Sequence, residues 1–403
     1  MKPINPSELP IVVIGYNRPN SLARLLSTLA DSDIPDGVRL VISLDKSEED
    51  CCANIANDFK WEFGQKDVIL HEERLGLKSH VLFCGRLSEN YQGIIMLEDD
   101  LIVSPKFYQY SLRVISQFSD DNRIGGFALY SPRLSETSLL PFTALEDGYD
   151  NFYMKIPCSW GQIFLKNQWL NFEKFVAKYN YQGVNQIDLP DNVLKWPDVS
   201  SWKKLYFQFL VFDNKYIFYP RISLSSNCGD VGQHFLKNVR VFQVSLLVGE
   251  LNYNFSSLSQ SKSIYDQFQE VDSSIAPSFL GLESLTFDLS GSKRLCQIKS
   301  KYLLSIKRCD KPIKKYPLIS YPPELGVLLS LECDLSEGNS ISLGKVEDFS
   351  SDLGIKIEQL EVYDVRKFNE FEYQKGRAKV LNSTRYKIGD LIVSPFRYIK
   401  NWF

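Results

Sequence analysis

The sequence predicts an α/β protein: a parallel sheet flanked by helices, then a smaller β-rich module and a basic amphipathic C-terminal tail. Three observations lead there. In the N-terminal part, short apolar runs alternate with stretches whose apolar residues recur at helical spacing, the pattern of βαβ units. One such run, GIIMLEDDLIVSP at 93–105, is interrupted by three adjacent carboxylates, Glu98, Asp99 and Asp100. Beyond about residue 245 the texture changes to Ser/Asn-rich connections and short alternating runs such as LTFDLS and GVLLSLECDLS. At 403 residues the chain exceeds what one ordinary core needs. The expected division is 1–245 for the α/β domain, 246–375 for the β-rich module and 376–403 for the tail.

The elements follow in order. Residues 11–14 (IVVI) read as a buried strand, and Asn17-Arg18-Pro19-Asn20 as a turn that starts a helix with Leu22, Leu25, Leu26 and Leu29 on one face. VRLVISLD is a second strand ending at Asp45, followed by a helix expected to run through about Phe63. DVIL is a third short strand, and a loop at Arg74-Leu75-Gly76 leads into a helix from about Lys78. GIIMLEDD is the fourth strand, residues 107–118 the next helix, and IGGFALYSP a strand leaving the sheet. Residues 134–160 read as a long loop, and such a loop in a compact domain is often an active-site cover. Helices are expected at 166–178 and 199–212, and YIFYPRISLSSNCGDVGQHF closes the unit. Parallel sheets bind ligands beyond the carboxyl ends of their strands; Asn17-Arg18, Asp45, Arg74 and the acidic trio all fall there.

Composition excludes several classes of function. Lysine and arginine number 46 against 49 acids, so no global field recruits nucleic acid. No apolar stretch approaches the ~20 residues of a membrane helix, and residues 1–10 do not read as a signal peptide. The eight cysteines show no C-x-x-C spacing, which reads as reduced thiols in a cytoplasmic protein. The three histidines, 71, 80 and 234, are too scattered for a histidine-rich metal centre. The 13% aromatic content suits sugar stacking, although aromatic cores are the commoner explanation.

Three like charges at the end of a buried strand resist burial unless a cation or hydrogen bonds offset them. Carboxylates so placed suit a hard divalent cation, Mg²⁺ or Mn²⁺, which takes one or two of them together with substrate phosphate oxygens. A solvated acidic turn capping a helix near Pro105 is the alternative. The segments PIVVIGYNRPNSLARLLSTL, VISLDKS, HEERLGLKSHVLF and IIMLEDDLIVSPKFYQY, in that order, resemble the GT-A glycosyltransferases. More closely, they resemble the N-acetylglucosaminyltransferase I family and the bacterial capsular or lipopolysaccharide transferases similar to it. SWGQIFLKNQW, WPDVSSW and GDVGQHF echo the second half of that catalytic domain, so the resemblance covers about residues 10–240.

The resemblance implies a GT-A fold (nucleotide-diphospho-sugar transferase, Rossmann-like). It implies metal-dependent, inverting transfer from a UDP-sugar to a glycan or lipid-linked glycan acceptor in bacterial surface polysaccharide synthesis. Asp100 would be the ligand of Mn²⁺ (or Mg²⁺), with Glu98 and Asp99 on ribose or donor sugar. Asp45 would hold the uracil or ribose, Asn17 and Arg18 would approach the nucleotide, and Arg74 and Lys78 would lie near base or diphosphate. His234, in VGQHF, matches the family's SHGQFF approximately and is a second candidate metal ligand. Asp198, in KWPDVSSWKK beside Trp196 and Trp202, matches the WDDW segment that holds that family's base, with Pro197 in place of the first acid and two extra residues before Trp202.

Each assignment has a plainer reading. Asp45 and Asp198 also suit helix caps, and Arg18, Arg74 and Lys78 solvated surface charges. Glu146, Asp147 and Asp150 in the long loop compete with Asp198 as the base. Two other functions fit the domain plan. A sugar nucleotidyltransferase would carry a Gly-rich basic loop after the first strand, where GYNRPNS has a single Gly. A non-catalytic carbohydrate-binding protein would work through the aromatic-rich β module. In the tail, Arg377, Lys379, Arg385, Lys387, Arg397 and Lys400 outnumber Asp390. That pattern fits peripheral contact with the inner face of the cell membrane, and equally a tail that packs back on the body or pairs two protomers.

Overall fold

The structure, a computed structural model, describes residues 4–136, 138, 140–179, 188–232, 239–338 and 340–354. His234 and the expected tail, 376–403, lie outside the described residues.

The first half builds the predicted sheet. β1 (Ile11–Gly15) and β2 (Leu40–Leu44) are buried along their whole length, as nearly unbroken apolar runs covered on both faces should be. Between them, α1 (Pro19–Ala30) opens on a proline, whose missing N–H is harmless in a first turn, and buries Leu22, Leu25, Leu26 and Leu29. α2 (Cys51–Asp58) stops short of the expected Phe63. Lys66 donates to the carbonyls of Ala56 and Asn57 at 2.8 and 2.7 Å, and the Trp61 indole N–H donates to Val38 O at 2.8 Å. A cation on the orphaned last carbonyls closes the helix there. β3 (Lys66–Leu70), α3 (Gly76–Arg86), β4 (Gly93–Glu98), β5 (Leu101–Val103), α4 (Phe107–Phe118) and β6 (Ile124–Ala128) follow.

The stretch expected as a loop over 134–160 contains a buried strand, β7 (Asn151–Met154). Next come β8 (Gln162–Leu165), α5 (Lys166–Tyr179), α6 (Asp191–Leu194), α7 (Trp202–Phe212), β9 (Tyr216–Pro220), β10 (Ser225–Asn227) and β11 (Ile264–Tyr265). α7 begins later than the expected 199 because Ser201 caps it, its hydroxyl accepting from Lys204 N at 3.1 Å. Nine strands form one sheet in the order β11-β7-β9-β6-β8-β4-β1-β2-β3. β4, β1, β2 and β3 are mutually parallel, whereas β8 runs antiparallel to both β4 and β6. The sheet is therefore parallel-rich but mixed. β7 and β8 arrive through the 134–160 connection, without the helical crossover that a parallel entry requires. The apolar run after the acidic trio forms a separate ribbon, β5 with β10.

The β-rich C-terminal part comprises α8 (Ala276–Leu280), β12 (Leu285–Asp288), β13 (Tyr302–Ser305), β14 (Lys307–Cys309), β15 (Lys314–Pro317), α9 (Pro323–Leu328), β16 (Ser340–Lys345) and β17 (Phe349–Leu353). Its sheet has the order β12-β13-β16-β15, with β14 and β17 as a second pair. Residues beyond 245 still pair with the first half of the chain: Leu247 N–H donates to Ser223 O at 3.0 Å, and β11 joins the large sheet beside β7.

Candidate active site

The carboxyl ends of β1, β2 and β4 open into a cleft of about 570 Å³. Tyr16, Asn17 and Arg18 follow β1, Asp45 follows β2, Arg74 comes from the loop after β3, and Glu98, Asp99 and Asp100 close β4. Register brings these together: Ile14 lies opposite both Ser43 and Glu98, so the residues after each strand emerge side by side. Gly15 keeps the floor open. A Cβ there would come within 2.8 Å of Leu44 Cδ2 and 3.7 Å of Asp99 Oδ2.

Arg18 spans the two aspartates. Its Nη2 donates to Asp99 Oδ1 and its Nη1 to Asp100 Oδ2 at 2.9 Å. The aspartate side chains are 3% and 13% exposed, and the remaining oxygens, Asp99 Oδ2 and Asp100 Oδ1, are buried without a hydrogen-bond partner among the described residues. Burial pushes the Glu98 carboxyl up to about 8, reinforced by the charge of Asp100. Burial likewise pushes Asp99 up to about 6, although Arg18 pulls the other way. Burial opposes the Arg18 charge, yet Asp99 and Asp100 hold the guanidinium above its ordinary range. Arg18 thus pairs directly with two of the three carboxyls, and Lys203 adds its charge to Glu98 from further off.

Two orphaned aspartate oxygens in such a field fit a divalent cation. Among the described residues no group of three or more His, Cys, Asp or Glu side chains is arranged to hold a metal unaided. A cation here would take its other ligands from phosphate and water, the habit of Mg²⁺ and Mn²⁺. His234, the second candidate ligand, is outside the described residues; Asp230 and Gly232, just before it, line the cleft.

Asp45 is buried, and its carboxylate accepts from Leu75 N at 2.8 Å, Gly76 N at 2.9 Å and Lys46 N at 2.9 Å. It therefore satisfies the first N–H of α3 and fixes the turn that carries Arg74. The Arg74 guanidinium lies 4.5 Å from the centre of the Tyr16 ring. His80, missed as a site residue, lines the same end; its Nε2 lies 2.8 Å from Ser43 Oγ, and His71 Nε2 lies 3.1 Å from the same hydroxyl. Lys78 is outside the cleft lining and donates to Asp198 O at 2.5 Å.

The rest of the cleft comes from distant segments: Glu136, Trp160, Trp196, Trp202, Lys203 and Asn227. Lys203 Nζ donates to both carboxylate oxygens of Glu136 at 2.7 Å and lies 5.6 Å from the Trp160 ring centre and 5.8 Å from that of Trp196. Asp198 sits outside the lining; its side chain is 62% exposed and pairs with Lys204 Nζ at 2.9 Å. The competing carboxylates lie elsewhere. Asp147 is held by Arg221 at 2.8 Å and Ser261 Oγ at 2.8 Å, Asp150 accepts from Asn254 N at 2.7 Å, and Glu146 is 75% exposed. None of the three lines the cleft. Glu136 has no local sequence signature and only its convergence on the cleft marks it, whereas Trp160, Trp196 and Lys203 stand in the quoted segments SWGQIFLKNQW and KWPDVSSWKK.

No protein-family model and no curated protein matches the chain. Among solved structures, a mannosyltransferase from Pyrobaculum calidifontis, in complex with GDP-Man and Mn²⁺, is similar over 43% of this chain and 48% of its own, at 11% identity and a TM-score of 0.31. TarS from S. aureus in complex with UDP-GlcNAc is similar over 56% of this chain and 60% of its own, at 11% identity and a TM-score of 0.39. The same protein in complex with UDP matches over 53% and 60%, at 13% identity and a TM-score of 0.33. The chain spans about half to three-fifths of the length of these glycosyltransferase structures, its neighbours at low identity.

Proposed function

We propose that this chain is a metal-dependent GT-A glycosyltransferase that moves a sugar from a UDP-sugar to a glycan hydroxyl, with inversion, in bacterial surface polysaccharide synthesis. One observation carries the reading: a buried and a half-buried aspartate, each with a buried oxygen that has no hydrogen-bond partner among the described residues, follow a parallel strand at the floor of a cleft walled by indoles. A nucleotide diphosphate with its cation meets the charge at one end, and sugar rings suit the aromatic faces at the other. The kinship with the N-acetylglucosaminyltransferase I family rests on the sequence motifs alone.

A divalent cation would supply Lewis-acid stabilisation of the diphosphate as it departs. The chain's own groups do the rest. Asp99 and Asp100 hold the cation's side of the site, and Arg18 between them presents guanidinium charge to the same region. Asp45 fixes the turn under Arg74, whose stack on Tyr16 offers a flat cationic surface to a nucleobase. A carboxylate elsewhere in the cleft takes the proton of the acceptor hydroxyl as its oxygen attacks the anomeric carbon. A lipid-linked acceptor and membrane contact through 376–403 belong to the same proposal. No helix among the described residues is long and apolar enough to cross a membrane.

The nucleotidyltransferase alternative is less well supported, because Arg18 is tied to the acids and no glycine run follows β1 to cradle a triphosphate. A thermal-shift screen of UDP-GlcNAc, UDP-Gal, UDP-Glc, UDP-GlcA and GDP-sugars with Mn²⁺ tests the reading. Stabilisation by at least one donor, abolished by EDTA, is expected. Stabilisation by nucleoside triphosphates alone would favour the alternative.

A further inference from the structure

The glycosyl-transfer reading needs a base, and the candidate drawn from sequence, Asp198, points its carboxylate at Lys204 outside the cleft lining. Glu136 is placed differently. It enters the cleft from a segment separate from the acidic cluster, and its side chain is 21% exposed, open to a ligand yet anchored. Its carboxylate is oriented by Lys203, whose charge also acts on Glu98, so the pair stands within electrostatic reach of the donor end. Trp160 and Trp196 flank that ammonium and offer apolar faces to a sugar ring.

The backbone of Glu136 is clamped as well. Its N–H donates to Gln269 Oε1 at 2.6 Å, and its carbonyl accepts from Asn192 Nδ2 at 2.6 Å. Gln269 has φ 56°, left-handed geometry that a side chain other than glycine's adopts only where its surroundings impose it. Here they do. Asp266 Oδ1 accepts from Phe268 N at 2.8 Å and Glu270 N at 3.2 Å, while Asp266 Oδ2 accepts from the buried Lys293 ammonium. Glu270 accepts from Ser290 N at 2.8 Å and Ser290 Oγ at 2.7 Å. Buried charges beside β12 therefore brace the 266–270 turn, and the turn braces Glu136.

We infer that Glu136 is the carboxylate that takes the acceptor's proton, and that Gln269 in the 266–270 turn is its positioning residue. The acceptor oxygen bonds to the anomeric carbon as its proton passes to a Glu136 oxygen. The bond from that carbon to the diphosphate oxygen breaks, and its electron pair leaves with the diphosphate. This rests on the proposed glycosyl transfer and gives the 266–270 turn after β11, braced by Ser290 and Lys293, a role in it: holding the base.

The test uses the full chain, the UDP-sugar panel with Mn²⁺, and UDP release with water as acceptor. Glu136→Gln is expected to lower kcat by ~10²-fold or more. Donor affinity, measured by calorimetry, should change by less than about threefold, a split between kcat and binding that lost folding would not produce. Gln269→Ala should lower kcat at unchanged donor affinity. If Glu136→Gln does not fold, Glu136→Asp, which keeps the charge but withdraws it, should still lose about 10-fold in kcat with binding intact. Near-normal turnover in the Glu136 variants, or the loss falling on Asp198→Asn instead, overturns the assignment while leaving glycosyl transfer standing. A wild-type chain that binds no donor of the panel overturns both.

Discussion

The His80 imidazole is buried at the Asp45 end of the cleft, sharing the Ser43 hydroxyl with His71. Burial, helped by His71, pushes it down to about 4 from an ordinary 6.5. Between those values the unfolded chain binds a proton that the folded chain does not. Its contribution is therefore intact above pH 6.5 and is lost as pH falls toward 4, by up to ~1.4 kcal/mol per pH unit. Denaturant unfolding at pH 7, 6 and 5 should show that slope, and His80→Gln should flatten it; an equal slope in the variant would place the dependence elsewhere. At this scale the sequence was informative where chemistry is local. Arg18, Asp99 and Asp100 stand together in the structure as their strand-end positions implied, because a strand end and a following turn are set by neighbouring residues. Asp45 sits where expected, yet its oxygens are taken by the α3 turn. Glu136 was not legible, since its partners Lys203, Asn192 and Gln269 are far along the chain.

α3 and α5 meet where Gly85 of α3 faces the fully buried Trp169 of α5. A Cβ at Gly85 would overlap the Trp169 ring. Alanine gains ~1 kcal/mol in helix propensity, but overpacking a rigid, buried indole costs typically 1–3 kcal/mol or more. Gly85→Ala is therefore expected to lower stability by about 1 kcal/mol or more in urea unfolding; a stabilising result would mean that the two helices separate freely. Elements governed by their own periodicity, such as α1 and α4, were readable from apolar spacing. Those governed by distant partners were not. α2 ends where Lys66 reaches its carbonyls, and β7, a four-residue NFYM with no alternation, is a strand because β9 and β11 flank it. The antiparallel insertion of β8 likewise depends on which strands meet in space.

Over the whole molecule, the acidic half of the cleft comes from β1, β2 and β4, while the aromatic half is assembled from 136, 160, 196 and 203. The first half repeats a short-range pattern and could be read from the chain. The second exists only once the mixed sheet closes and the 266–270 turn after β11 meets Glu136. The account holds these halves to be one site, organised by a cation-dependent diphosphate at Asp99 and Asp100. Calorimetric titration of a UDP-sugar into wild-type protein and Asp100→Ala, each with Mn²⁺ and with EDTA, tests that claim most directly. Saturable binding to the wild type that requires Mn²⁺, and its loss in a variant whose circular dichroism is unchanged, is the predicted result. Equal affinity in the variant, or wild-type binding indifferent to the metal, would contradict it.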